Sequence, residues 1–236
     1  GKSAVATGKG SIALGAHVSA IGSKSIAIGE LASSGVGIGN ISMGYAVKNT
    51  GTVGSIAIGN AVAVGVGPGT IAMGNGVEVV ASGGAIVLGN LAFANASAGT
   101  ILMGNGATSD SNAGSVILGN GAAGVFGVNQ VAIGNAVAVK ENQTIAIGDN
   151  STATAEGGIA IGSKTKATGK ESLAMVQATA SGEASIAIGA QANSSGEGSI
   201  ALGEKANSSG KESTALGANS NASANGAIAF GTAAEA

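Results

Sequence analysis

The sequence predicts an all-β fold, a parallel β-roll of about sixteen short coils, and three observations carry that prediction. A five-residue phrase of the form Ser-Ile-Ala-Ile-Gly recurs along all 236 residues. Within each copy, large and small side chains alternate with the period of two that marks a strand. The composition also excludes a thick globular core: 44 glycines, one proline, no tryptophan and 2 % aromatic residues. Helices are not expected, because a fourteen-residue unit holding two or three glycines does not sustain one.

The phrase appears as Ser11 to Gly15, Ser25 to Gly29, Ser55 to Gly59, Thr70 to Gly74, Thr144 to Gly148, Ser185 to Gly189 and Ala227 to Gly231. Its closing position falls at 15, 29, 44, 59, 74, 89, 104, 119, 134, 148, 162, 176, 189, 203, 217 and 231, and Gly fills all of these except Val176. Spacing is fourteen residues toward both ends and fifteen across roughly 30–134, with one step of thirteen. A unit copied so regularly is the signature of a solenoid, in which each coil contacts its neighbours along one axis. The expected organisation is a single repetitive β-roll domain over residues 1–236.

Each coil reads as two strands and two turns. The phrase is the first strand. The second begins after the closing glycine, as in Ala192-Asn193-Ser194, and ends at a Gly/Ser/Asn turn. The positions three and one before the closing residue are large and apolar in every coil apart from Thr214: Ile12 and Leu14, Ile26 and Ile28, Ile56 and Ile58, Ile71 and Met73, Ile86 and Leu88, Ile101 and Met103, Ile145 and Ile147, Ile186 and Ile188, Ile200 and Leu202. These two columns share one face of a strand, and the residue between them, mostly Ala, takes the other.

Volume decides which face is the roll interior, because packed cores tolerate changes that conserve total volume. Where the middle residue is Val87, Leu102 or Ile117, the following second strand carries Ala92, Ala107 or Ala122. Where it is Ala57 or Ala72, the second strand carries Val62 or Val77. These positions are expected to oppose each other inside the roll. The Ile/Leu/Met columns then point away from it and form a continuous apolar wall, larger than the patches a monomer leaves wet. Identical chains around a common axis would cover it. Spacing does not choose between two chains and three, although a wall facing an axis suits three.

These repeats resemble the YadA-like head of trimeric autotransporter adhesins. Family heads carry a phrase like S-[IV]-A-[IL]-G about every fourteen residues, matched letter for letter at Ser25 to Gly29, Ser185 to Gly189 and Ser199 to Gly203. The resemblance covers essentially the whole chain. It implies a left-handed roll, a homotrimer with a shared axial core, and a fibre on the surface of a Gram-negative bacterium. That fibre would be anchored to the outer membrane by segments not in this chain. The fifteen-residue coils depart from the pattern.

Chemistry is sparse. The net charge of −2 offers no basic surface for nucleic acid. There is no cysteine, and no apolar run approaches a membrane helix. The one histidine, His17, sits alone in a turn, and Gly35 to Gly39 and Gly65 to Gly69 lack the rest of a nucleotide-binding loop. Sequons such as Asn150-Ser-Thr152 and Asn193-Ser-Ser195 read as turn-forming residues. No catalytic residue, metal site or cofactor is expected, and no enzyme activity. Between Asn49 and Val139 the charged residues are Glu78 and Asp110 alone, and that stretch also holds Phe93 and Phe126. These aromatics are the candidate ligand contacts, since exposed aromatics on rigid scaffolds often anchor partners; the competing reading has Phe126 fold over its own coil end and Phe93 cover a neighbouring rung.

The expected function is adhesion, with extracellular-matrix proteins, host cells or abiotic surfaces as partners. A passive spacer or self-association module is the alternative. An ice-binding array would need ranked threonines, whereas the outward columns mix Asn, Ser, Thr, Lys and Glu.

Overall fold

The computed structural model describes residues 1–236. Thirty-two short strands alternate between two parallel sheets, beginning with Val5–Ala6 and Ile12–Leu14 and ending with Asn221–Ala222 and Ile228–Phe230. The strand formed by the recurring phrase is termed the wall strand, and the other the return strand. The chain divides into two compact units, Gly1–Gly121 and Ala122–Ala236, and each contains eight wall strands and eight return strands.

Within the first unit, equivalent positions of successive coils stack in parallel register, as in Ile71↔Ile86, Ala72↔Val87 and Met73↔Leu88. The second unit repeats the arrangement with Ile186↔Ile200, Ala187↔Ala201 and Ile188↔Leu202. Backbone amides donate to the following coil, Ile56 to the carbonyl of Thr70 at 2.8 Å and Ile186 to that of Ser199 at 2.9 Å. The architecture is thus an all-β parallel solenoid of fourteen- to fifteen-residue coils.

The interior is narrow and built from small residues. Ala57, Val62, Ala72, Val77, Val87, Ala92, Leu102, Ala107, Ile117 and Ala122 are all fully buried. In the first coils Val18, Ala20, Ala27 and Ala32 form one apolar cluster that joins wall-strand and return-strand positions. Close stacking of successive coils explains the glycines at the closing position, which hold φ between 118° and 157°. A Cβ on Gly59 would lie 1.8 Å from the carbonyl oxygen of Gly74. Val176, the single exception, adopts φ 61° instead, and the coil that follows it is the one of thirteen residues.

Burial locates the added residue of the fifteen-residue coils. Counted from the preceding closing residue, fourteen-residue coils bury positions 3, 5, 7 and 10, as in Ala192, Ser194, Gly196 and Ser199. Most fifteen-residue coils bury 3, 5, 8 and 11, as in Val62, Val64, Gly67 and Thr70. The insertion therefore lies in the corner between return strand and wall strand, here called the return corner. In the coil 45–59 it falls after buried Gly51. The thirteen-residue coil buries Ala178, Ala180, Gly182 and Ser185, so its missing residue comes from the opposite, closing corner.

In most coils a buried polar side chain just before the wall strand fastens the return corner; Ala85, Gly158 and Ala227 take that place in three others. In the fifteen-residue coils it reaches forward into the next coil: Ser55 Oγ donates to the Gly67 carbonyl at 3.0 Å, Thr70 Oγ1 to Ser82 at 2.8 Å and Thr100 Oγ1 to Asn112 at 2.8 Å. In the fourteen-residue coils of the second unit it bonds within its own turn, Ser185 to Gly182, Ser199 to Gly196 and Ser213 to Gly210, each at 2.7 Å. Buried polar groups require such partners; the forward bond predominates where the coil reached into has fifteen residues, as also in Ser25 to Gly37 at 3.0 Å, while Ser115 bonds Ala113 in its own corner at 3.4 Å.

Candidate interaction surfaces

The wall is the largest apolar feature. Ile12, Leu14, Ile228 and Phe230 are 53, 60, 70 and 76 % exposed, and Met43, Met73, Ile101 and Met103 lie near 40 %. The remaining wall residues, among them Ile26, Ile28, Ile56, Ile58, Ile71, Ile86, Leu88, Ile145, Ile147, Ile186, Ile188, Ile200 and Leu202, are half-buried against one another. They reach this face because the Ala between them points into the roll, and strand alternation leaves no other direction.

At the closing corner, beside the wall, asparagine side chains stack into a ladder. Asn60 Nδ2 donates to Asn75 Oδ1, Asn75 to Asn90 and Asn90 to Asn105, each at 2.9 Å. In the second unit Asn135 Nδ2 donates to Asp149 Oδ1 at 2.9 Å, and Asn150 Nδ2 to Asp149 Oδ2 at 2.7 Å. These two amides hold the Asp149 carboxyl below its ordinary range, with a smaller contribution from Lys164. A further ladder runs along the return strands of this unit, Asn193 to Asn207 at 2.9 Å and Asn207 to Asn221 at 2.8 Å. The sequon at Asn193 is thus part of a strand ladder rather than a turn.

Phe93 lies on a return strand of the first unit, in register with Glu78 on one side and Thr108 on the other, and is half-buried. Phe126 belongs to the second unit, in a return corner, 61 % exposed with φ 53°. It occupies the inserted position of its coil. His17 is exposed in a closing corner at φ 52°.

The return corner carries a feature that composition alone does not reveal. Val36, Ile38, Val53 and Val66 are 83, 53, 53 and 68 % exposed. Their signal in the sequence is the isolated aliphatic residue among turn glycines, as in Gly-Val-Gly-Ile-Gly at 35–39. Turn residues fall outside the strand alternation, so periodicity does not flag them.

The model of the YadA head domain repeat matches residues 1–17, 141–165, 153–175, 177–206 and 208–234. The fifteen-residue coils, 30–134, lie outside those segments. No curated protein matches the chain. Matched segments share the phrase, the fourteen-residue period and the glycine-closed corner described above. The matched segments, a little under half of the chain, are YadA head domain repeats, the repeats of trimeric autotransporter adhesin heads.

Proposed function

We propose that this chain is the ligand-binding head of a surface fibre, a left-handed roll that assembles as a homotrimer with the Ile/Leu/Met wall as its axial core. The matched repeats support an adhesin head of a structural, non-enzymatic kind, the surface-exposed part of outer-membrane adhesins. The observation that carries the rest is the wall. Two ranks of large apolar side chains stand at every coil apart from Thr214, and burying each contributes roughly 1.5–3 kcal/mol. The backbone entropy of ordering a coil is about 1–2 kcal/mol per residue, and an alanine-filled interior offsets little of it. Sister chains around an axis supply the missing burial, and both units of the chain then serve as one repetitive head.

Extracellular-matrix proteins, host cells or abiotic surfaces are the partners this reading assigns, held through many weak repeated contacts. Phe93 and Phe126 are its candidate contacts. Anchorage to the outer membrane belongs to segments other than this one. A passive spacer is the second reading, supported by the even, polar outward columns of the second unit such as Asn193, Asn207 and Asn221.

The test combines light scattering with a retention panel of collagen, fibronectin, laminin, plastic and the head itself. A mass of three chains and retention on at least one surface are expected, with retention lowered by Phe93→Ser together with Phe126→Ser. Three chains that are retained nowhere would leave the spacer; a stable single chain would remove the trimer.

A further inference from the structure

The exposed aliphatics of the return corner form a ridge in the first unit. The amide of Gly54 donates to the carbonyl of Ile38, that of Gly69 to Val53 and that of Gly84 to Pro68, each at 2.8 Å, so Ile38, Val53 and Pro68 occupy one column. Ile38 and Val53 also form a parallel bridge. Val36 and Val66 stand beside the column. The same backbone bonds in the second unit define the equivalent column as Glu156, Lys170, Glu183, Glu197 and Lys211. There it is laced by ion pairs, Lys170–Glu156 at 3.8 Å and Lys211–Glu197 at 3.0 Å. One position of the coil is therefore apolar or small in the fifteen-residue coils and polar in the shorter ones, charged from Glu156 to Lys211 and uncharged at Ser23, Asn142 and Asn225.

Continuity with the wall identifies what covers the ridge. Ile41, Ile56 and Ile71 begin the wall strands three residues after Ile38, Val53 and Pro68, so the ridge is the wall's lateral margin. The other margin is the closing corner with Tyr45, Asn60 and Asn75. When parallel identical chains turn their walls to one axis, rotation brings the return corner of each to the closing corner of the next, a heterologous contact that closes into a ring. The closing corner of the first unit suits an apolar neighbour. Its asparagine amides bond to one another, and Leu31 and Leu91 are 45 and 62 % exposed there. Both leucines hold φ near 55°, a left-handed conformation that costs a non-glycine residue about 1–2 kcal/mol.

We propose that the return-corner ridge of the fifteen-residue coils is a seam between sister chains, seated on the closing corner of the neighbouring copy. The added residue of these coils lengthens the corner and presents its apolar side chains to that neighbour, while the fourteen-residue coils leave the same seam polar and hydrated. The proposal rests on the trimer reading and adds to it a specific lateral contact.

The chain has no cysteine, which makes disulfide trapping clean. Val53→Cys is combined in turn with Tyr45→Cys, Asn60→Cys and Asn75→Cys, a set that covers the unknown axial register. Residues 53 and 60 of one chain are separated by the width of a wall strand, on the order of 15 Å. That exceeds the ~7 Å limit for a disulfide, so a bond joins two chains. A covalent three-chain band under mild oxidation is expected for at least one pair, and none for the outward control Thr108→Cys with Asn90→Cys. Independently, Ile38→Lys with Val53→Lys is expected to speed dissociation of the trimer on dilution roughly tenfold or more, whereas Lys170→Ala with Lys211→Ala leaves it unchanged.

A wild-type mass of three chains, with no cross-link in any pair and unaltered dissociation of the lysine variant, overturns the seam and leaves the trimer standing. Lysine variants that stay trimeric but lose surface retention overturn it as well, and assign the ridge to a foreign ligand. A wild-type mass of one chain removes the trimer reading first.

Discussion

The fifteen-residue coils of the first unit and the fourteen-residue coils of the second close the return corner in different ways, and the difference shows what one inserted residue does to a solenoid. In the shorter coils the buried hydroxyl is spent locally: Ser199 bonds the Gly196 carbonyl three residues earlier. In the longer coils the hydroxyl of Thr70 instead bonds Ser82, twelve residues later and one coil on. An intra-turn bond has become a rung between coils. The same insertion opens the corner outward, where Val36 and Val66 stand in the first unit and salt-bridged Lys211 and Glu197 in the second. Coil length thus changes both how coils are tied together and what they show to their surroundings.

The largest expected effect tests how tightly the two kinds of coil stack. In Gly59→Ala the new methyl meets the Gly74 carbonyl oxygen at 1.8 Å with φ at 139°, and backbone on both sides cannot yield without separating two coils. Loss of about 4 kcal/mol or more is expected, at the extreme of single substitutions. Gly162→Ala is milder, because its neighbours begin at 3.0 Å from Thr165 Oγ1 and 3.1 Å from the Val176 amide. About 1–3 kcal/mol is expected there, the cost of backbone strain. Thermal and urea unfolding of the two variants measure the gap. Equal losses would mean that Val176 and its short coil relax nothing.

A second pair sharpens the corner comparison itself. Thr70→Val keeps the shape but removes an inter-coil bond to a buried carbonyl, and about 1–3 kcal/mol is expected to be lost. Ser199→Ala removes a bond within one turn, beside Ser194 whose hydroxyl lies 2.6 Å from that of Ser199. About 0.5–1.5 kcal/mol is expected, since the turn also keeps the Ser199 amide bond to Gly196 at 3.2 Å. Hydrogen exchange should distinguish them further. Protection is expected to fall across two adjacent coils in Thr70→Val and within one in Ser199→Ala.

How much of this was legible beforehand follows from which features are local. The strands could be placed because a fourteen-residue period and a period of two are both written into Ile56-Ala57-Ile58-Gly59 and its copies. The site of the inserted residue could not be placed, because the corner residues Val66 to Gly69 obey neither period; only burial at Gly67 rather than at the preceding position fixes it. Positive φ at Leu31, Leu91 and Val176 was equally hidden, since glycine and asparagine announce such positions and leucine and valine do not. The size of the apolar wall calls for a partner but carries no count of chains. The number of chains was therefore legible only through resemblance.

The smallest expected effect separates the two closing-corner ladders. In the first unit the ladder from Asn60 to Asn105 is entirely amide and has no titrating member, so Asn75→Ala is expected to lose about 0.5–1.5 kcal/mol at any pH. In the second unit the acceptor is Asp149, and the amides of Asn135 and Asn150 depress its folded pKa. A depressed carboxyl contributes stability above its unfolded value, near pH 3.9. That contribution is lost as pH falls through the lower folded value. Melting followed from neutral pH downward should show a small acid-side fall in the wild type that Asp149→Asn abolishes while Asn75→Ala retains it. The side chain is fully exposed, so solvent screening keeps the fall small. A fall that persists in Asp149→Asn would remove the closing-corner ladder as its source and move the search to the return corner, with its Lys211–Glu197 ion pair at 3.0 Å.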